Sequence, residues 1–219
     1  MNLLAVETAT ETCSVALVLG TEMRERYEHA PRKHAELLLP WVQQLMAEAG
    51  IESTVVLFGG ARIPDPVDKS NARTETLKDL SRFYDEARKF AALSGGESLA
   101  SGGKDYIVVT GGGPGVMEAG NRGAQDVGAK SIGLNIVLPH EQAPNEYVTP
   151  ELCFNFHYFA LRKMHFLMRA RAVAAFPGGF GTLDELFETL TLIQTERMQR
   201  VPVLLFGEDF WRSIVNWEA

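Results

Sequence analysis

Phe176-Pro-Gly-Gly-Phe-Gly-Thr-Leu-Asp-Glu185 decides how this chain is read. It follows an apolar, strand-like stretch, Ala172 to Phe176. It opens a segment with Leu183, Leu186, Phe187, Leu190 and Ile193 at helical spacing. A glycine-rich turn from strand to helix leaves backbone N–H groups unpaired and pointing outward, and the helix dipole adds partial positive charge there. Together they make an anion site, usually for phosphate. Glu185 then stands one turn inside that site, which suits chemistry on a phosphorylated substrate. A second reading stays open: Thr182-Leu-Asp-Glu185 fits a capping box, with threonine as N-cap and glutamate at N3. One glycine suffices for a turn, however, and three together point to close approach of something to the backbone.

Two further glycine turns follow apolar runs. Ile107 to Thr110 reads as a buried strand, Gly111-Gly-Gly-Pro-Gly-Val-Met-Glu118 as its loop, and Ala119 to Val127 as a helix, with Pro114 suited to the first helical turn. Glu118 is either a substrate contact or an acid favoured by the helix N-terminus. No Gly-Lys-Ser/Thr ends this loop, so it is not a P-loop. Val116 stands where the third glycine of G-x-G-x-x-G would fall, so the dinucleotide fingerprint is broken. The third turn, Phe58-Gly-Gly-Ala-Arg62, follows Thr54 to Leu57 and makes Gly59 and Gly60 candidate substrate contacts.

His157 to Ala170 reads as a helix with Phe159, Phe166, Leu167 and Ala170 apolar. Arg162 and Lys163 fall near its start, where cations are mildly disfavoured. They are either solvated charges on a polar face or, with His165 and Arg169 at i+3 and i+7 from Arg162, a basic stripe along a phosphate site. His140, His157 and His165 show no metal-ligand spacing, so no metal is expected. Elsewhere Asn71 to Leu93 reads as a long helix and Ser94 to Gly103 as a flexible loop. Ser131 to Leu138 reads as a strand, and Pro139 to Pro150 as a polar loop over the site. Alternating strands and helices imply an α/β fold, a Rossmann-like doubly wound parallel sheet.

Gly111 to Ala124, Arg162-Lys163 and Pro177-Gly-Gly-Phe-Gly-Thr-Leu-Asp-Glu185 resemble the LONELY GUY family over about residues 54 to 217. These are cytokinin riboside 5′-monophosphate phosphoribohydrolases, long labelled lysine decarboxylases. The resemblance implies that Arg162 and Glu185 form the catalytic pair. It implies a phosphate cradle of Gly179, Gly181 and Thr182, to which the glycine turns add Gly111, Gly112, Gly113, Gly115 and Gly178. Gly59, Gly60, Lys163 and Glu118 are the further candidate contacts. It also implies a nucleoside 5′-monophosphate substrate, no cofactor, a homodimer or higher homo-oligomer, and further sequence beyond Ala219.

The first fifty residues read differently. Asn2 to Thr10, Cys13 to Leu19 and Glu22 to His29 are strand-like, and Pro31 to Met46 is an amphipathic helix with a proline at position 40. This stretch resembles the start of the bacterial threonylcarbamoyladenosine-biosynthesis partner protein of the actin-like ATPase superfamily. Glu7-Thr-Ala-Thr10 stands for that family's Asp-Thr-Ala-Thr, and the Pro31-Arg-Lys-His-Ala35 segment matches. The resemblance stops near Gly50, before that family's Gly-Arg-Gly-Pro-Gly loop. Two domains are therefore expected: a partial actin-like subdomain over 1–50, and a Rossmann-like nucleotide-binding domain over 54–219. The join reads as a fusion or chimera. Half a subdomain lacks the two lobes that an ATP site needs. It is expected to dock on the second segment, to pair between chains through an exposed strand edge, or to stay loosely ordered; as an alternative function it is an interaction module of the tRNA threonylcarbamoyladenosine system.

Composition narrows the classes. A chain of 219 residues, 46 % hydrophobic, suffices for one large domain or a domain plus an appendage. A net charge of −7 argues against a broad nucleic-acid surface. Cys13 and Cys153 lie in different segments and imply no disulfide framework. Without a basic N-terminal region or a long apolar run, neither a signal peptide nor a membrane span is expected, which places the protein in the cytoplasm. The expected activity is hydrolysis of the N-glycosidic bond of a purine nucleoside 5′-monophosphate, adenosine-type or cytokinin, to free base and ribose 5-phosphate. The alternative is a non-catalytic nucleotide-binding protein.

Overall fold

A computed structural model describes residues 3–7, 12–19, 22–29, 37, 40, 41, 44, 50–136, 143–156 and 159–217. The chain begins with β1 (Leu3–Glu7), β2 (Thr12–Leu19) and β3 (Glu22–His29), an antiparallel sheet in that order. Residues 37, 40, 41 and 44 of the expected following helix are helical. The rest of that stretch, and the turn residues 8–10, lie outside the described residues.

The second sheet carries the site. Its strands are β4 (Thr54–Phe58), β5 (Ile107–Thr110), β6 (Ser131–Ile136), β7 (Cys153–Phe156), β8 (Ala170–Ala175) and β9 (Val203–Leu205). They lie in the order β7-β6-β5-β4-β8-β9, and every pairing is parallel. β4 and β5 are buried along their whole length. That is why they read as continuous apolar runs: a parallel strand is covered on both faces. Side chains still alternate. Val56, Phe58, Val109 and Val173 join one core cluster with Phe154 and Phe166, while Leu57, Val108 and Ala174 join the other with Phe83, Tyr84 and Phe176. Val15 of β2 is wholly buried in the first cluster, and Leu37 and Trp41 pack against it.

The helices are α1 (Glu75–Leu80), α2 (Arg82–Ala100), α3 (Val116–Asp126), α4 (Phe159–Leu167), α5 (Phe180–Gln194) and α6 (Glu208–Ile214). Helix α2 corrects the expected loop from Ser94: the helix runs on to Ala100, and only then does the chain turn. Tertiary contact overrides local composition here. Gly95 and Ser98 are buried on the face toward α3, and a Cβ on Gly95 would lie 2.9 Å from Val127 Cγ2. The short strand β7 was not read from the sequence, and α4 ends at Leu167, short of the expected Ala170. Pro114 precedes the N-cap of α3, which is Gly115, rather than standing in its first turn.

The strand order positions the site. β5, β4 and β8 are neighbours, and the sheet extends outward from β4 in both directions. The three glycine turns leave the carboxyl ends of these three strands, so the fold brings them side by side in the crevice where open α/β sheets hold ligands.

Candidate active site

A cavity of about 600 Å³ opens at those strand ends. Gly59, Gly60, Gly111, Arg162, Gly178, Gly179, Gly181, Thr182 and Glu185 line it. Gly112, Gly113, Gly115, Lys163 and Glu118 do not.

The turn at the start of α5 departs from the capping box. The helix begins at Phe180 with Gly179 as N-cap, and among the described residues no side chain caps it. Thr182 is the third helical residue and Glu185 the sixth, so Glu185 cannot reach back to the N-cap as an N3 glutamate does. Both side chains are buried toward the cavity instead. The glycines divide by cause. A Cβ on Gly178 would lie 2.1 Å from Thr182 Oγ1, so that glycine makes room for the threonine. A Cβ on Gly179 or Gly181 would meet nothing within 4 Å among the described residues.

The second turn is stapled from below. Gly112 has φ +71°, and its N–H donates to Thr110 Oγ1 at 2.9 Å. Asn145 Nδ2 donates to the carbonyls of Gly112 at 3.0 Å and Gly113 at 2.9 Å, and Asn145 N–H donates to Gly112 O at 2.8 Å. Gly115 packs against the turn after β4, where a Cβ would come 2.5 Å from Gly60 O. Gly111 leaves space for a side chain: its Cβ would lie 2.5 Å from Arg162 Nη2. Asn145 was not read from the sequence. It acts through residues more than thirty positions away, and only the fold brings them together.

Arg162 and Glu185 meet at the cavity floor. Arg162 Nε donates to Leu134 O at 2.6 Å, and its guanidinium lies 4.9 Å from the Phe166 ring centroid. Nη1 stands 3.8 Å from Glu185 Oε1, too far for a good hydrogen bond. Glu185 is 7 % exposed, and its Oε2 has no hydrogen-bond partner among the described residues. Burial pushes the Glu185 carboxyl up to about 7, against the downward pull of Arg162 and Lys163. The site thus holds a buried carboxylate, titrating near neutrality, with one oxygen unpaired among the described residues.

Other expected roles fall elsewhere. Glu118 accepts a 2.6 Å hydrogen bond from Tyr84 Oη; burial first, and this bond next, hold the phenol well above its usual pKa. Arg122 donates to Asp65 Oδ2 at 2.8 Å and so ties down the loop after Gly60. His165 and Arg169 do not extend Arg162 into a basic stripe. They line a separate apolar cavity with Phe154 and Phe156, where burial drives His165 down to about 4. Arg169 lies beyond the last residue of α4, so helical spacing does not reach it, and the His165 ring packs 5.2 Å from that of Phe156. Phe159, Phe180, Leu77, Leu80, Met117 and Phe210 add apolar walls to the main cavity. Among the described residues no three His, Cys, Asp or Glu side chains group to hold a metal, and no helix is long and apolar enough to cross a membrane. His140 and His157 lie outside the described residues.

Comparison with known proteins follows this division. Residues 117–219 match the family model described as possible lysine decarboxylase. A stretch of 121 residues is 33 % identical to the probable cytokinin riboside 5′-monophosphate phosphoribohydrolase LOGL5 of Oryza sativa subsp. japonica, covering 54 % of this chain and 47 % of that protein. A stretch of 54 residues is 41 % identical to the tRNA threonylcarbamoyladenosine biosynthesis protein TsaB of Escherichia coli, covering 25 % of this chain and 23 % of that protein. The chain thus spans about half the length of the rice relative and about a quarter of the bacterial one. The X-ray structure of a protein designated TM1055 is 28 % identical over 69 % of this chain and 72 % of that one, with a TM-score of 0.44. The matched stretch, residues 117–219, carries both Arg162 and Glu185 and is similar to the family of possible lysine decarboxylases, the LONELY GUY group that the glycine motifs resemble.

Proposed function

We propose that the protein hydrolyses the N-glycosidic bond of a purine nucleoside 5′-monophosphate, releasing the base and ribose 5-phosphate. One observation carries this reading: Glu185, buried and with one oxygen unpaired among the described residues, lines a cavity together with the start of α5, which no described side chain caps. The exposed N–H groups at Gly179 to Gly181 suit a phosphate, and the Glu185 carboxylate suits the positive charge that develops on a ribose as its bond to the base breaks. Water adds to the anomeric carbon, the bonding electrons leave with the base nitrogen, and a proton returns to the base. Glu185 stabilises the oxocarbenium-like ribose or orients the water. Arg162, placed by Leu134 O, holds the nucleotide and assists the departing base. The 5′-phosphate contributes binding that positions the reacting bond. The apolar walls offer the base a face on which to lie, and they suit an adenine or an N6-alkylated adenine equally. The name of the rice relative supports the cytokinin form.

The test is a panel of nucleotides and nucleosides with detection of free base. AMP or a cytokinin ribotide is expected to be cleaved, and the corresponding nucleoside far more slowly. Each charge-assisted hydrogen bond to phosphate is worth about 1.5–3 kcal/mol. Equal turnover of AMP and adenosine would remove the phosphate from the mechanism. Tight binding without free base would make the protein a nucleotide-binding one instead.

A further inference from the structure

Arg162 and Lys163 are consecutive on α4, so their side chains diverge by about 100° around the helix. Arg162 enters the cavity and Lys163 does not. Lys163 is 17 % exposed and reaches across to α5. Its Nζ lies 2.6 Å from Asp184 Oδ2 and 3.2 Å from Glu188 Oε2, the second a charge contact off hydrogen-bond angle. Asp184 and Glu188 are one helical turn apart and flank Glu185. Left alone, two like charges at that spacing repel. One ammonium between them neutralises part of that charge and joins the helix of Arg162 to the helix of Glu185.

We propose that Lys163 is a positioning residue, a clamp between α4 and α5 that holds Glu185 opposite Arg162, and that it does not touch the substrate. This rests on the phosphoribohydrolase reading above. The bond pattern of Lys163 agrees with it. Burial opposes the charge of Lys163, yet Asp184 and Glu188 hold its pKa above the ordinary lysine value. The charged groups that act on Glu185 are Arg162 and Lys163 from α4, and Glu188 and Asp184 from its own helix. Removing Lys163 leaves the two acids acting on Glu185 with only Arg162 opposed, which raises the Glu185 pKa further.

The experiment uses the full chain and Lys163→Met, with Lys163→Arg as the conservative variant. With AMP, Lys163→Met is expected to lower kcat about tenfold or more while KM stays within about twofold. The acid limb of its pH–rate profile moves to higher pH, and Lys163→Arg restores most of the rate. A second readout needs no turnover. Carbon-13 NMR of the Glu185 carboxyl in labelled protein follows its titration directly, and the midpoint is expected to rise in Lys163→Met. If no nucleotide is cleaved by any form, that titration still tests the clamp. If Lys163→Met does not fold, Asp184→Asn removes the shorter contact from the other side. The expectation then becomes a lower kcat at unchanged KM, with a lower Glu185 midpoint because an acid has been lost. A KM raised about tenfold at unchanged kcat and unchanged Glu185 titration makes Lys163 a substrate contact and overturns the proposal. Unchanged kinetics and titration in both variants overturn it equally.

Discussion

A carboxylate as buried as Glu185 carries its charge against the loss of solvation, and Arg162 at 3.8 Å offsets only part of that. Glu185→Gln removes the charge and keeps the shape. Turnover is expected to fall on the order of 10² to 10³, the usual loss when a preorganised transition-state contact goes. Stability at pH 8 is expected to rise rather than fall, because a neutral amide replaces an incompletely paired charge. A urea titration at pH 8 and a base-release assay on the same protein read both. Near-normal turnover would remove Glu185 from the chemistry. In the unaltered protein kcat/KM should increase with pH up to about 7 and then level, if the ionised carboxylate is the active form. Gly179 separates ligand from fold. Its φ of −93° suits alanine, and a Cβ there meets nothing nearby among the described residues. Gly179→Ala should keep stability within about 0.5 kcal/mol. If phosphate lies on that backbone, ribose 5-phosphate affinity should drop about tenfold or more in calorimetry, since a Cβ intrudes on one charge-assisted bond. Unchanged affinity would move the phosphate elsewhere.

At the scale of elements, α2 and α3 approach so closely that backbone meets backbone. A Cβ on Gly123 would lie 2.1 Å from Arg88 O, and neither partner is a flexible side-chain end. Gly123→Ala is expected to destabilise by about 1–3 kcal/mol through overpacking. Gly96, on the exposed side of α2, has open space around its Cβ position. Gly96→Ala is expected to stabilise by about 1 kcal/mol, the helix propensity difference. Denaturant unfolding of the two variants gives opposite signs if α2 is helical through Ser94–Ala100. If both are neutral, that stretch is a loop after all. The sequence misled here because two adjacent glycines with serines look like a flexible linker. One of them is glycine for packing and the other only lowers the propensity of a helix that the core sustains.

For the whole molecule, two groups, the buried Glu185 and the half-buried His165, set the pH response with opposite signs. Glu185 has its folded pKa raised, from 4.5 to about 7, so its contribution is present at acid pH and lost as pH rises through 7. His165 has its folded pKa lowered, from 6.5 to about 4, so its contribution is present at neutral pH and lost as pH falls from 6.5 toward 4. Each is worth on the order of 3 kcal/mol across its window, and they largely cancel between pH 8 and pH 5. Removing either exposes the other. Glu185→Gln should lose stability on going from pH 8 to pH 5, and His165→Phe should gain it. Urea midpoints at the two pH values check this. Slopes of the same sign in both variants would mean that other groups dominate. Removing residues 1–50 takes away no strand of the parallel sheet, but it uncovers the cluster around Phe154, Phe156 and Phe166 where Val15 is buried. That deletion is expected to keep the sheet and lower its melting temperature. An unfolded product would make the first fifty residues part of its core.

The sequence by itself determined the strand-turn-helix units. Each needs only local information: an apolar run, glycines that free the backbone, and a helical period. The class of fold and the three glycine turns were legible for that reason, whereas the pairing of Arg162 with Glu185 was what the family resemblance implied. The tertiary structure alone decided what each residue in those units does. Thr182 and Glu185 fit a capping box by spacing, yet α5 starts three residues earlier and turns both into the cavity. Lys163 stands beside Arg162 in sequence, yet it reaches Asp184 and Glu188 on α5 and does not line the cavity that Arg162 enters. Asn145, Leu134 and Gly111 are brought beside one another by contacts between loops, a strand and a helix far apart in the chain. Helix phase at a terminus and the order of strands in a sheet are settled by packing, and packing sums over residues that no local window contains.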